Sequence, residues 1–230
     1  LHVAEMDYEM TYLKEQYGCT PIEYLDRLGI LDSHTLCAHS IRLTEQDISL
    51  MAKSGSSVAH CIGSNTKAAK GVAPVSSMLK QGMAVGLGTD GPASGNTLDL
   101  FTQMRFCANF HKNATGDRSA FPAKDIVSMA TIWGAGALGL DRLTGSLEPG
   151  KEADLVVVET DSPNMFPVYD PYSALVYSAR ADNVRHVFVA GRCLVKDKQL
   201  VAQDFRQIRE DLQQKMNQTA FGGMGNGVLV

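Results

Sequence analysis

Four short apolar runs recur through the first 90 positions, each closed by a polar residue: "LHVA", "TLCAHS", "SSVAHC" and "MAVGLGTD". They are too brief for helices and almost continuously apolar, the pattern of strands covered on both faces. Between them the sequence turns helical. "PIEYLDRLG" places Pro21 at a first helical position and Gly29 past the end. "LTEQDISLMAKSG" offers Thr44 as an N-cap, with Asp47 three residues on in place of the usual Glu or Gln of a capping box. "VSSMLKQG" and "TLDLFTQMRFCANFHKN" continue the style. Strands alternating with helices of this length predict right-handed βαβ units and a parallel sheet.

The pattern changes near Leu147. "EPGKEADLVVVE" is a Pro-Gly turn leading into a strand, and "VRHVFVAGRCLV" predicts two strands joined at Ala190-Gly191. "DSPNMFPVYDP" between them is an irregular, Pro-rich surface segment. The polar stretch "DFRQIREDLQQKMNQ" predicts a closing helix, followed by a mobile glycine-rich tail, "FGGMGNG". The expected divisions are an α/β unit over 1–146, β-strands over 147–200, and the helix and tail over 201–230. Two or three strands bury little by themselves, so the β-rich part is expected to pair with strands supplied from elsewhere.

Composition changes this picture mainly by exclusion. The 230 residues carry a net charge of -4, which gives no electrostatic footprint for nucleic acid. No apolar run approaches the roughly 20 residues of a membrane span. The five cysteines (Cys19, Cys37, Cys61, Cys107, Cys193) are odd in number and scattered, which fits free thiols in a reducing cytoplasm.

Candidate chemistry collects at the strand ends. His2, His39, His60 and Asp90 each lie at or just past the carboxyl end of a predicted strand, the edge where parallel α/β sheets bind ligands. Imidazole and carboxylate suit zinc or a similar divalent ion, and such a metal lowers the pKa of a bound water towards about 7. Side chains alternate faces along a strand, so His2 and Glu5 cannot both point inward from one ideal strand. Glu5 is therefore expected on the loop beyond it, facing the same water and substrate. His34, His111 and His186 read as structural residues, in a turn, at a helix end and before a strand. His60 stays open between packing residue and site residue.

In this order, "LHVAE", "CAHS", "VAHCIGSN" and "GLGTDG" resemble the second half of the amidohydrolase superfamily, in its chlorohydrolase and aminohydrolase branch and especially its methylthioadenosine and S-adenosylhomocysteine deaminases. "GSLEPGKEADLVVVE", "YDPYSALVYSA" and "VFVAGRCLV" extend the likeness over nearly the whole chain. The resemblance implies an α/β fold: strands five to eight of a metal-dependent (β/α)8 barrel, plus part of a composite β-sandwich. His2 and Asp90 match metal ligands for one divalent ion, foremost zinc. Glu5 matches the carboxylate that binds the substrate ring and shuttles protons, and His39 the histidine near the water and leaving group. Glu5, His39 and Asp90 are thus the implied catalytic and substrate-binding residues. His60 falls in a stretch similar to H-x-P-x-S-N, with Ile62 where Pro is usual.

The implied activity is hydrolytic deamination of a purine nucleoside, releasing ammonia. The alternatives are deamination of guanine or 8-oxoguanine, triazine dechlorination, or a non-catalytic assembly role. The resemblance also implies that this is the C-terminal portion of a longer cytoplasmic protein. It would fold with its own N-terminal half, which carries the H-x-H metal pair absent from these residues, and could form a homo-oligomer.

Overall fold

The computed structural model describes residues 1–218, so the glycine-rich stretch 221–227 lies outside the described residues. The four apolar runs form one parallel sheet in sequence order: β1 (His2–Val3), β2 (Leu36–His39), β3 (Ser57–His60) and β4 (Val85–Leu87). Its register aligns Cys37 with Val58 and Val58 with Val85, all three fully buried. Registered positions of neighbouring strands share a face, so these side chains form one apolar row. Ile48, Met51 and Met78, from α3 (Glu45–Ser54) and α5 (Val75–Lys80), join it in the core without exposed area. Burying each such side chain contributes roughly 1.5–3 kcal/mol before the entropy of ordering is counted.

Local signals start these helices where they were predicted. The Thr44 hydroxyl accepts from Asp47 N–H while the Asp47 carboxylate accepts from Thr44 N–H, closing the capping box ahead of α3. α2 (Pro21–Arg27) opens on Pro21 behind an N-cap at Thr20. The helix α1 (Asp7–Tyr17) was not signalled by apolar spacing, since it buries no side chain fully. Its start is set instead by the Glu9 carboxylate, which accepts from Met6 N–H at 3.1 Å and Glu5 N–H at 3.2 Å.

After β3 the chain forms the short α4 (Ile62–Lys67). After β4 come α6 (Pro92–Gly95), α7 (Leu100–Thr115), α8 (Ala123–Met129) and α9 (Ile132–Ala137). A side chain at Gly86 would put its Cβ 2.8 Å from Gly134 Cα, so β4 and α9 meet backbone to backbone.

The second sheet is antiparallel, ordered β5 (Leu155–Val158), β6 (Val184–Val189), β7 (Arg192–Lys196) and β8 (Gln199–Leu200). β6 and β7 meet at Ala190 and Gly191, both left-handed, as a tight hairpin requires. The irregular segment before β6 is gathered around the buried Asn183, which bonds Ser162, Asn164 and Arg180 N–H. A polar helix, Phe205–Asn217, closes the described chain. An apolar hollow of about 800 Å³, lined by Val58, Leu87, Met104, Val156 and Phe188 among others, separates the two sheets. None of the candidate site residues lines it.

Candidate active site

The carboxyl ends of the parallel strands do converge. Glu5 lies beyond β1 on a left-handed turn at Ala4 (φ 50°), which takes its carboxylate off the strand line. His39 ends β2 with φ 69°, and Asp90 follows β4 with φ 59°. Such backbone is uncommon outside glycine and costs energy, so its recurrence at three strand ends is an observation that calls for a use. One consequence is visible. His2 registers with Ala38, so the neighbouring His39 would face the opposite side on ideal strands. The turn at His39 brings the two rings into a stack with centroids 5.2 Å apart.

Bonds tie the group together. His39 Nε2 lies 3.6 Å from Glu5 Oε1, and its Nδ1 faces Asn65 Oδ1 at 2.8 Å. The ring tautomer sets which atom donates in the Nδ1 contact, and Nε2 is left facing the Glu5 carboxylate. Asp90 accepts from the Ser64 hydroxyl and from Gly91 N–H, each at 2.7 Å. The Ser64 hydroxyl is the main cause holding its carboxyl below the usual range; burial, the next largest effect, opposes it, and Gly91 N–H and the nearby imidazoles of His39 and His2 add smaller effects in the lowering direction. Lys70 donates to Glu5 Oε1.

Three of these partners were missed by reading the sequence: Ser64, Asn65 and Lys70. All come from one stretch, α4 and the turn after it. This stretch serves Asp90, His39 and Glu5, which belong to three different strands. The available signal was the Ser-Asn pair at fixed spacing from His60. Ile62, in place of the usual Pro, occupies the first position of α4. Proline is favoured there because its missing N–H would have no helical partner, so the substitution leaves the helix start in place.

His60 is fully buried and its hydrogen-bond partner lies outside this group, its Nε2 being 3.0 Å from His111 Nε2. Together with Cys107 it forms the only triad, among the described residues, whose ligand-type atoms lie within 4.8 Å of one another. Two nitrogens on one tetrahedral zinc would be roughly 3.3–3.4 Å apart, so 3.0 Å is the spacing of a hydrogen bond. Burial lowers the pKa of His111 to about 4 and that of His60 well below its ordinary value, while it raises the Cys107 thiol to about 12. The triad is a neutral packing cluster with Phe121 stacked on His111. Two placements from the sequence need correcting. His111 lies inside α7, where its side chain reaches the core, and His186 lies within β6, paired to Val157. His34 is in an exposed turn as expected.

His2 and Asp90 are the donor types a zinc ion takes, and His2 is exposed at the sheet edge. They amount to two donors, fewer than a catalytic zinc site needs, so they fit a metal as part of a larger set. No helix among the described residues is long and apolar enough to cross a membrane, and all five cysteines are free.

Comparison with known proteins agrees with this geometry. The amidohydrolase family model matches residues 1–194. A 5-methylthioadenosine/S-adenosylhomocysteine deaminase of Syntrophobacter fumaroxidans is 41% identical over 210 residues, covering 91% of this chain and 48% of the relative. One from Halobacterium salinarum is 41% identical, over 95% of this chain and 50% of its own length. Among solved structures, a zinc-bound adenosine deaminase from Xanthomonas campestris superposes with a TM-score of 0.91 at 35% identity, covering 95% of this chain and 50% of that one. A zinc-complexed atrazine chlorohydrolase from Arthrobacter aurescens gives 0.86 at 28%, covering 91% and 46%. The chain thus spans about half the length of these relatives. Its parallel strands, their polar ends and these matches place one conclusion beyond the reach of any single motif: the chain belongs to the amidohydrolase family.

Proposed function

We propose that the complete protein is a metal-dependent hydrolytic deaminase of an adenine nucleoside such as S-adenosylhomocysteine or methylthioadenosine. Water replaces the exocyclic amino group, and ammonia and the hypoxanthine nucleoside leave. The observation that carries this reading is the gathering of Glu5, His39 and Asp90 at one sheet edge, in a chain whose relatives bear that deaminase name.

His2 and Asp90 would help hold one divalent ion, zinc being favoured by the zinc-bound neighbours. Such an ion supplies a water made acidic enough to yield hydroxide near neutral pH. The remaining ligands would come from the N-terminal half of the protein, which also supplies the other barrel strands. Asp90 takes the proton of the attacking water, its ionised form secured by Ser64 and Gly91, and passes it to the departing amino group, which leaves as ammonia. Glu5 delivers a proton to the ring nitrogen as the adenine carbon becomes tetrahedral and regains one from the new hydroxyl as that collapses to the carbonyl. His39 hydrogen-bonds the developing oxygen, kept in orientation by Asn65. The free thiols support a cytoplasmic setting.

Ammonia release by the complete, metal-replete protein is the test, on S-adenosylhomocysteine, methylthioadenosine, adenosine, guanine and a chlorotriazine. Turnover of adenine nucleosides supports the reading. Turnover of guanine alone moves the substrate, and chloride release in place of ammonia replaces the reaction. Glu5→Gln should keep the metal and lower turnover by about 10²–10⁴-fold, the range for a general acid–base residue. Undiminished turnover in that variant would remove Glu5 from the mechanism.

A further inference from the structure

We propose that Lys70 is a positioning residue for Glu5, selecting which carboxylate oxygen faces the substrate; this rests on the reading of Glu5 as the proton carrier. The Lys70 ammonium and His39 Nε2 converge on the same atom, Glu5 Oε1. A carboxylate held by one oxygen presents the other in a defined direction, and no hydrogen bond occupies Oε2 among the described residues. The pair is more than a surface contact, since the two side chains retain only 25% and 17% of their exposure. A partly desolvated ion pair constrains geometry more firmly than a fully hydrated one.

The backbone is shaped to bring the lysine there. α4 ends at Lys67, Ala69 is left-handed (φ 54°), and Lys70 N–H donates to Asn65 O at 2.9 Å before Gly71 turns the chain away at φ 115°. The reversal folds Lys70 back over the same helix whose Ser64 and Asn65 hold Asp90 and His39. Lys67, on the same stretch, is committed elsewhere, to Ser94 O and the Asn96 side chain. A charged amine of this reach restrains Glu5 without lying on the substrate path that Oε2 defines. The effect should therefore fall on the chemical step more than on binding.

The experiment is a double-mutant cycle on the complete, metal-replete protein with an adenine nucleoside it turns over. Lys70→Met should lower kcat about tenfold or more with KM changed less than about threefold, while metal content and Tm stay at wild-type values. Lys70→Arg should restore most of kcat, because it replaces the cation. In a Glu5→Gln background, Lys70→Met should cause no further loss, because its effect passes through Glu5. Wild-type kcat in Lys70→Met, or an additive loss in the double variant, overturns the positioning role while Glu5→Gln still tests Glu5 independently. Full turnover in Glu5→Gln alone overturns the proton-carrier reading, and this inference with it.

Discussion

The two sheets use the same backbone conformation for different ends. In the antiparallel sheet, left-handed residues occur at Ala190, Asp197 and Lys198, all in hairpin turns where reversal of the chain requires them. In the parallel sheet they occur at Ala4, His39, Ser40 and Asp90, where no hairpin follows. The strands differ in step. Cys37, Val58 and Val85 are fully buried, whereas Val156 keeps 53% of its exposure and Leu194 keeps 44%. Positive φ is therefore uninformative by itself. It becomes informative where it falls on a titratable residue, at the end of a strand buried in the core, with partners converging from other elements.

A matched pair of substitutions separates the two uses of this backbone. Asp90→Gly and Asp197→Gly both relieve a left-handed backbone, since glycine adopts it freely. Asp90→Gly should lose metal and activity by about 10³-fold or more. Asp197→Gly should leave both unchanged, and equal losses in the two would mean that the strand-end aspartate has no special role. Metal content by mass spectrometry and ammonia release are the measurements.

A second pair tests the difference in packing. Met51→Ala, in the core beneath the parallel sheet, should destabilise the protein by about 2–5 kcal/mol in urea denaturation. Val156→Ala, on the half-exposed antiparallel strand, should cost under about 1 kcal/mol. Comparable costs would show that the antiparallel sheet is covered in the complete protein by strands from its other half.

The third effect is a matter of pH. His111 has its pKa lowered by burial from 6.5 to about 4, so the unfolded chain binds the proton first as pH falls. Its stabilising contribution is fully present above about pH 6.5 and is lost progressively between 6.5 and about 4. His111→Phe should reduce the slope of the stability profile across that window, the buried His60 supplying what remains. An unchanged slope would mean that His111 is already neutral, or solvated, in the same way in both states.

The smallest expected effect concerns a local signal. Thr44→Ala should cost about 1 kcal/mol through loss of the α3 cap, leaving ammonia release per folded molecule intact. A larger loss would point to the contact between the Thr20 hydroxyl and the Asp47 carboxylate, which links this cap to α2.

The sequence by itself determined the strand–helix alternation, the capping of α3, the hairpin at Ala190-Gly191 and the strand-end positions of His2, His39, His60 and Asp90. These are set by spacing and by turn chemistry, which act over a few residues and are written locally. It did not reveal α1, because a helix that buries no side chain fully leaves no apolar stripe to read. It left His60 undecided because a histidine near the end of an apolar strand has the same local appearance whether it meets a substrate or His111. Only the tertiary structure separated the two, by closing α7 over the end of β3. Only tertiary structure could show that Ser64, Asn65 and Lys70, consecutive or nearly so in the chain, reach residues from three strands. A hydrogen-bond partner 26 or 65 positions away leaves no periodic trace, and it is chosen by where the folded backbone brings two polar groups within about 3 Å.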